Sequence, residues 1–247
     1  MAAAAIHDGH GLRAEIAERM VLAEADRLRE EDPFTGQAIR GVPTHFIAHR
    51  SRFEADLNRE PEIAVYRTPE QCWGLKVWRG PLEDDVAARS LDYHRRFYAM
   101  VEATLDEIAA DHPRFVLLDV HSYNHRRDGP DAPPTPAEKA PEINIGTFSM
   151  PRADWAWLLE PLMAAMHDHD FGGRHLDVRE NVAFQGKGEL TRFVHQRYPG
   201  VGCAIAVEFK KFYMDEWSGE PDAAALDHMR GWVDHVAAVA RELLDGR

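Results

Sequence analysis

Four apolar runs in this 247-residue chain each lead into residues that can do chemistry. AAAAIH ends in His7. THFIAHRSRFEADLNR ends in Asn58 and Arg59. FVLLDVHSYNH carries His121, Ser122 and Tyr123 past its apolar core, and CAIAVEFKK carries Glu208. In an α/β chain, ligands bind where strands end. The set offers imidazoles for a metal, a carboxylate for proton transfer, and an arginine fork for an anion. Together these describe a metal-assisted hydrolase acting on an amide that bears a carboxylate.

His7 and His10 stand three apart on a turn, a spacing that lets two rings face one ion. Alone, the pair reads more simply as two solvated turn histidines. His121 adds weight, because it follows five apolar residues and Asp119, where a polar side chain needs a reason to be. Three imidazoles with an open fourth position suit a catalytic Zn²⁺, and other divalent ions would also bind. Asp8 and Glu15 are possible substitute ligands, and Asp119 a partner that fixes a histidine's tautomer.

Glu208 follows Ala204-Ile205-Ala206-Val207. The ordinary reading pairs it with Lys210, which shares its strand face, or with Lys211. The functional reading makes it the general base and acid of amide hydrolysis, taking a proton from water and giving it to the leaving nitrogen. Arg59 is either a turn residue paired with Asp56 or, with Asn58, a bidentate clamp on a substrate carboxylate.

The elements that must position these residues alternate. Strands are expected at Ala2–His7, about Thr44–Ala48, Phe115–Val120, Ile143–Thr147, Asp177–Phe184 and Cys203–Phe209. Helices are expected at about Leu12–Arg29, Glu83–Ala110, Trp155–His167, Thr191–Tyr198 and Ala223–Leu244. Residues 126–141 contain five prolines and read as a surface loop near the site. No repeat or linker marks a boundary. The expectation is one α/β domain over 1–247, with a mixed, mainly parallel sheet flanked by helices.

Composition narrows the class. With 29 basic and 42 acidic residues, the net charge of −13 would repel nucleic acid. Two distant cysteines, Cys72 and Cys203, suggest free thiols in a reducing compartment. No membrane-length apolar run and no basic signal-type N-terminus is present, so a cytoplasmic protein is expected. Neither a glycine-rich phosphate loop nor a nucleophile elbow occurs.

HxxH after a first strand, DLNR, a strand ending in HSY and a strand-end glutamate resemble zinc carboxypeptidases, with His10 where that pattern has glutamate. The whole chain is still more similar to the N-formylglutamate amidohydrolase family, through AIHDGH, SRFEADLNR, LLDVHSYNHRR, EINIGT and AVEFKKFYMDEW. That resemblance implies a phosphorylase/hydrolase-like fold. It implies zinc on His7, His10 and His121, Glu208 as catalytic base, and Asn58 with Arg59 on the substrate carboxylate. Arg52 would be a second anion contact or polarise the scissile carbonyl, and Ser122, Tyr123, Asn144 and Thr147 would line the pocket. Arg126 and Arg127 would stand at its mouth or on a solvated surface. The substrate would be a small N-acyl amino acid, such as an N-acylated glutamate or aspartate, or a peptide ending in a carboxylate. A different class of function is a non-catalytic module that keeps the anion pocket and lacks the metal.

Overall fold

The computed structural model describes residues 1–246. Six strands build one sheet: β1 (Ala2–Ala5), β2 (Thr44–Ile47), β3 (Phe115–Tyr123), β4 (Ile143–Gly146), β5 (Val178–Glu180) and β6 (Gly202–Lys210). Their order is β2-β1-β3-β6-β4-β5. The first four neighbours run parallel, and β4 turns antiparallel against β6 and carries β5 parallel to itself. The sheet is therefore mixed and mainly parallel, as expected.

Both faces of the sheet are covered, which is why β3 reads as a continuous apolar run, buried along its whole length. Side chains alternate between the faces. Val116, Leu118 and Val120 join a core with α5 (Ala156–Asp168), α7 (Ala223–Asp245) and the short α3 (Thr35–Ala38). Phe115 and Leu117 face the opposite way, toward α4 (Asp84–Asp111) and α6 (Glu189–Arg197), where Phe97, Val101, Leu105, Leu190 and Val194 pack. The alanines of β1 are fully buried. Their small side chains let β1 lie between two strands with helices above and below. Enlarging one would overpack the core, at about 1–3 kcal/mol.

A third core departs from expectation. Instead of one helix over Leu12–Arg29, the chain forms α1 (Ala14–Ala17) and α2 (Glu24–Glu30). Between them Met20 bridges to Trp78, and the Val21 N–H donates to Val77 O at 2.8 Å. Ile16 is buried with Phe53, Tyr66 and Trp78. Cross-chain backbone pairing and this packing override a helical pattern that contains no local breaker.

The fifth expected strand also contracts. Asn181 takes φ of 58° after Val178–Glu180, and the chain leaves the sheet there. None of the described helices is long and apolar enough to cross a membrane.

Candidate metal centre and cavity

The C-terminal ends of β1, β3 and β6 lie along one edge of the sheet. His121 sits opposite Glu208 in the β3–β6 register, and Asp119 sits opposite Ala206. The period of two puts Asp119, His121 and Glu208 on the face covered by α4 and α6. His7 follows β1, and its carbonyl accepts the Asp32 N–H at 2.9 Å. That bond draws the loop after α2 over the strand ends.

His7, Asp32 and His121 converge there, buried, with ligand atoms within 4.8 Å of one another. The Nδ1 atoms of His7 and His121 stand 3.3 Å and 3.0 Å from the same Asp32 Oδ2. The outer nitrogens meet carboxylates: His7 Nε2 donates to Asp56 Oδ1 at 2.7 Å, and His121 Nε2 lies 3.0 Å from Asp119 Oδ1. This is the carboxylate–histidine arrangement that fixes a ligand's tautomer and strengthens it as a donor. His7 Nδ1 has no hydrogen-bond partner, and neither oxygen of Asp119 has one. Ser122 Oγ donates to Asp32 Oδ1 at 3.0 Å and holds that carboxylate in place.

The electrostatics couple the cluster tightly. Burial raises the cost of ionising Asp32, yet His121 and His7 hold its carboxyl well below the usual range. Burial likewise opposes charge on His121, but Asp119 and Asp32 hold that imidazole well above its ordinary value. One aspartate and two imidazole nitrogens form a donor set suited to Zn²⁺ or a similar divalent ion.

His10 is not part of this set. Its Nδ1 donates to buried Glu31 at 2.5 Å, and its Nε2 faces Arg27 and Glu24. The turn at Gly9 packs against the backbone of His49 and Arg50, so His7 and His10 diverge. Asp32 takes the position expected of His10. Asp8 accepts from Gly36 N, and Glu15 pairs with Arg13 and Arg89, both away from the cluster.

Glu208 stands at the junction of two cavities. The larger, about 490 Å³, also holds Arg59, Lys187 and Arg192; the smaller, about 160 Å³, holds His7, Asp32 and His121. Arg52, Asn58 and Phe184 line both with it. Burial pushes the Glu208 carboxyl up to about 7; Asp32 and Asp119 add to this, and His121 and Arg52 oppose it. Lys210 does not pair with it, donating instead to Ala140 O at 3.0 Å.

Asp56 organises the carboxylate side. It accepts from His7, from Arg52 at 2.8 Å, from Arg59 at 3.4 Å, from the Tyr66 hydroxyl and from Asn58 N–H. The Arg59 guanidinium also lies 5.1 Å over the Tyr66 ring and keeps free donors toward the cavity. Asn58 Nδ2 lies 3.3 Å from His121 Nε2, and its carbonyl groups accept from Glu189 N and Leu190 N.

Other expected pocket residues work at one remove. Asn144 is fully buried, accepts from the N–H groups of Val182 and Ala183, and donates to Phe184 O, so it shapes the loop that lines the cavity. Thr147 is bonded to Glu180 and Asn181 behind that loop. Tyr123 lines the smaller cavity and donates to Pro141 O. Arg127 reaches the same cavity while paired with Glu30, whereas Arg126 pairs with Asp215. Lys211 does not pair with Glu208 either; it is buried and donates to Arg29 O and Glu31 O, tethering the loop that carries Asp32.

Residues 3–214 match the model of one protein family, described as N-formylglutamate amidohydrolase. The chain belongs to the N-formylglutamate amidohydrolase family. It is also similar to the crystal structure of N-formylglutamate amidohydrolase from Ralstonia eutropha JMP134, with a TM-score of 0.70 and 16% identity over 100% of this chain and 94% of that one. A gene product of Agrobacterium tumefaciens gives a TM-score of 0.68 at 14% identity, covering 100% and 90%. At these identities the two structures establish a shared α/β fold. No curated protein matches the chain. The family match spans β3, β6 and all but the first residue of β1, and so every residue of the cluster and cavities described above.

Proposed function

We propose that this member of the amidohydrolase family hydrolyses an amide in a carboxylate-bearing substrate, with a divalent metal, most simply Zn²⁺, held by His7, Asp32 and His121. The observation that carries the reading is the approach of two imidazole Nδ1 atoms to one buried Asp32 oxygen, beside Glu208. Bound there, the ion would supply a Lewis acid for the amide carbonyl and for the attacking water.

The protein's own groups would do the rest. Asp56 holds the outer nitrogen of His7 by a hydrogen bond and Asp119 stands 3.0 Å from that of His121, while both Nδ1 atoms face Asp32. Glu208, with its carboxyl near 7, is matched to proton transfer at neutral pH. Its carboxylate takes a proton from water and returns it to the leaving nitrogen. Arg59 would bind the substrate carboxylate with its free guanidinium donors, oriented by Asp56 and the Tyr66 face. Arg52 extends from Asp56 to the junction of the cavities, where it can face the scissile carbonyl.

N-formylglutamate and related N-acyl amino acids are the first substrates to assay, given the family. Release of free amino acid by zinc-loaded protein, abolished by chelation and restored by zinc, is the expected result. Tight binding of such a ligand with no turnover under any divalent ion would instead identify a binding module.

A further inference from the structure

Tyr66 donates its hydroxyl to Asp56 and also lines a separate cavity of about 350 Å³. Val77 and Trp78 are buried in this cavity, and Pro69 and Pro81 flank them. Arg67, Lys76 and Arg79 stand exposed around them. No residue lining it lines either cavity at the strand ends. The volume is within the range of small-molecule pockets.

Both walls are in place before a ligand arrives. One wall, residues 76–79, is pinned to the loop after α1. There the Val21 N–H donates to Val77 O at 2.8 Å, and the Arg79 N–H donates to Arg19 O at 2.9 Å. The other wall is the turn Pro69–Gln71, closed by reciprocal bonds between the Thr68 and Gln71 side chains and each other's backbone. Trp78 Nε1 joins the walls by donating to Tyr66 O at 2.6 Å, and Arg67 is fixed by donating to Leu82 O at 2.9 Å. The indole N–H is thus already used, and Val77, Trp78 and the two prolines offer apolar contact. A preformed cavity of this kind loses little to ordering when it binds.

The charge around it has one sign. No carboxylate lines the cavity. Among the described residues Lys76 and Arg79 form no ion pair, and Arg67 has only exposed Asp84 at 3.8 Å. Such an exposed pair is worth little. With 42 acidic residues against 29 basic, the chain could partner every cation, yet these three gather without one in the cavity. Their field favours an anion there.

We propose that this cavity is a second ligand site, for a small organic anion with an apolar body. The body rests on Val77 and Trp78, and the anionic group meets Arg67, Lys76 and Arg79. A bare inorganic anion would leave the apolar floor uncovered, and a neutral apolar molecule would leave the cations unused. The site is independent of the amide-hydrolase reading, because it uses none of His7, Asp32, His121, Glu208 or Arg59.

Calorimetric titration of the full chain with naphthalene-2-carboxylate is the test. Naphthalene-2-methanol serves as the neutral probe and inorganic phosphate as the probe without an apolar body. The carboxylate should bind at least about tenfold tighter than either. Charge reversal by Lys76→Glu together with Arg79→Glu should weaken it at least about tenfold, while Arg59→Ala should change it by less than about twofold. Both reversed side chains are exposed, so the fold should survive, and denaturant unfolding checks that it does. A crystal of wild-type protein soaked with the carboxylate should show its rings against Val77 and Trp78. Absence of binding, equal binding of the alcohol or of phosphate, or rings seated elsewhere overturns the proposal. So does binding that is lost in Arg59→Ala and kept in the charge-reversed protein, which would place the ligand in the cavity beside Glu208.

Discussion

His7 and His121 meet across the ends of two neighbouring strands, ring centroids 4.8 Å apart and tilted by 57°, with Asp32 shared between their Nδ1 atoms. Each ring is backed by its own carboxylate, Asp56 or Asp119. The relationship separates the residues that should hold a metal from the histidine that only neighbours them in sequence.

Asp32→Ala should therefore weaken zinc binding by more than the roughly 10–100-fold that losing an outer partner costs. His10→Ala should leave zinc affinity near wild type. Competition with a chromophoric chelator checks both. Loss of zinc from the His10 variant alone would restore the ligand set expected from sequence.

Glu208→Gln should keep fold and metal while activity falls about 10²–10⁴-fold, the range for a lost general base. Circular dichroism, metal analysis and amino-acid release are the three readouts. Undiminished activity would remove Glu208 from the mechanism.

Glu208, His7 and His121 were legible because each interrupts or ends an apolar run that must be a buried strand. Asp32 was not. It lies in an acidic loop, and only the bond from its N–H to His7 O and the tether from Lys211 bring that loop over the sheet. Neither leaves a spacing signal. Asn144 and Thr147 were recognisable as important but not as supports, because their partners in residues 180–184 lie more than thirty positions away. The break in Leu12–Arg29 was hidden for the same reason: Val77 and Trp78 cause it.

Arg59→Lys should impair turnover of a carboxylate-bearing substrate well beyond what retained charge suggests, because lysine lacks the paired donors of the fork. Arg59→Ala should leave zinc content unchanged. An analogue with an amide in place of the carboxylate should lose less. Equal losses on both substrates, measured as kcat/KM, would make Arg59 a structural partner of Asp56.

Gly188 approaches Asn58 so closely that a Cβ would stand 2.2 Å from Asn58 Oδ1. Gly188→Ala should displace Asn58, cost about 1–3 kcal/mol as an overpacked contact, and lower activity. Denaturant unfolding measures the first effect. Unchanged stability and activity would mean that the loop moves freely away from Asn58.

Stability should fall in mild acid through His195. Its Nε2 accepts from Ala204 N–H at 3.0 Å, so Nδ1 donates to Ser149 Oγ, and burial pushes its pKa down to about 4. A ring kept neutral in the fold but free to protonate when unfolded stabilises fully above the unfolded value of about 6.5. That contribution is lost as pH falls from about 6.5 to 4, by at most about 3 kcal/mol. His195→Asn should flatten this part of the unfolding profile. An identical slope in both proteins would place the acid sensitivity elsewhere.

The most direct test of the metal centre is anomalous diffraction at the zinc edge from crystals of zinc-loaded protein. The account expects one strong peak per chain bounded by His7 Nδ1, Asp32 and His121 Nδ1, with Glu208 beside it. A peak at His10 and Glu31 instead, or none at the His7–Asp32–His121 cluster, would contradict it.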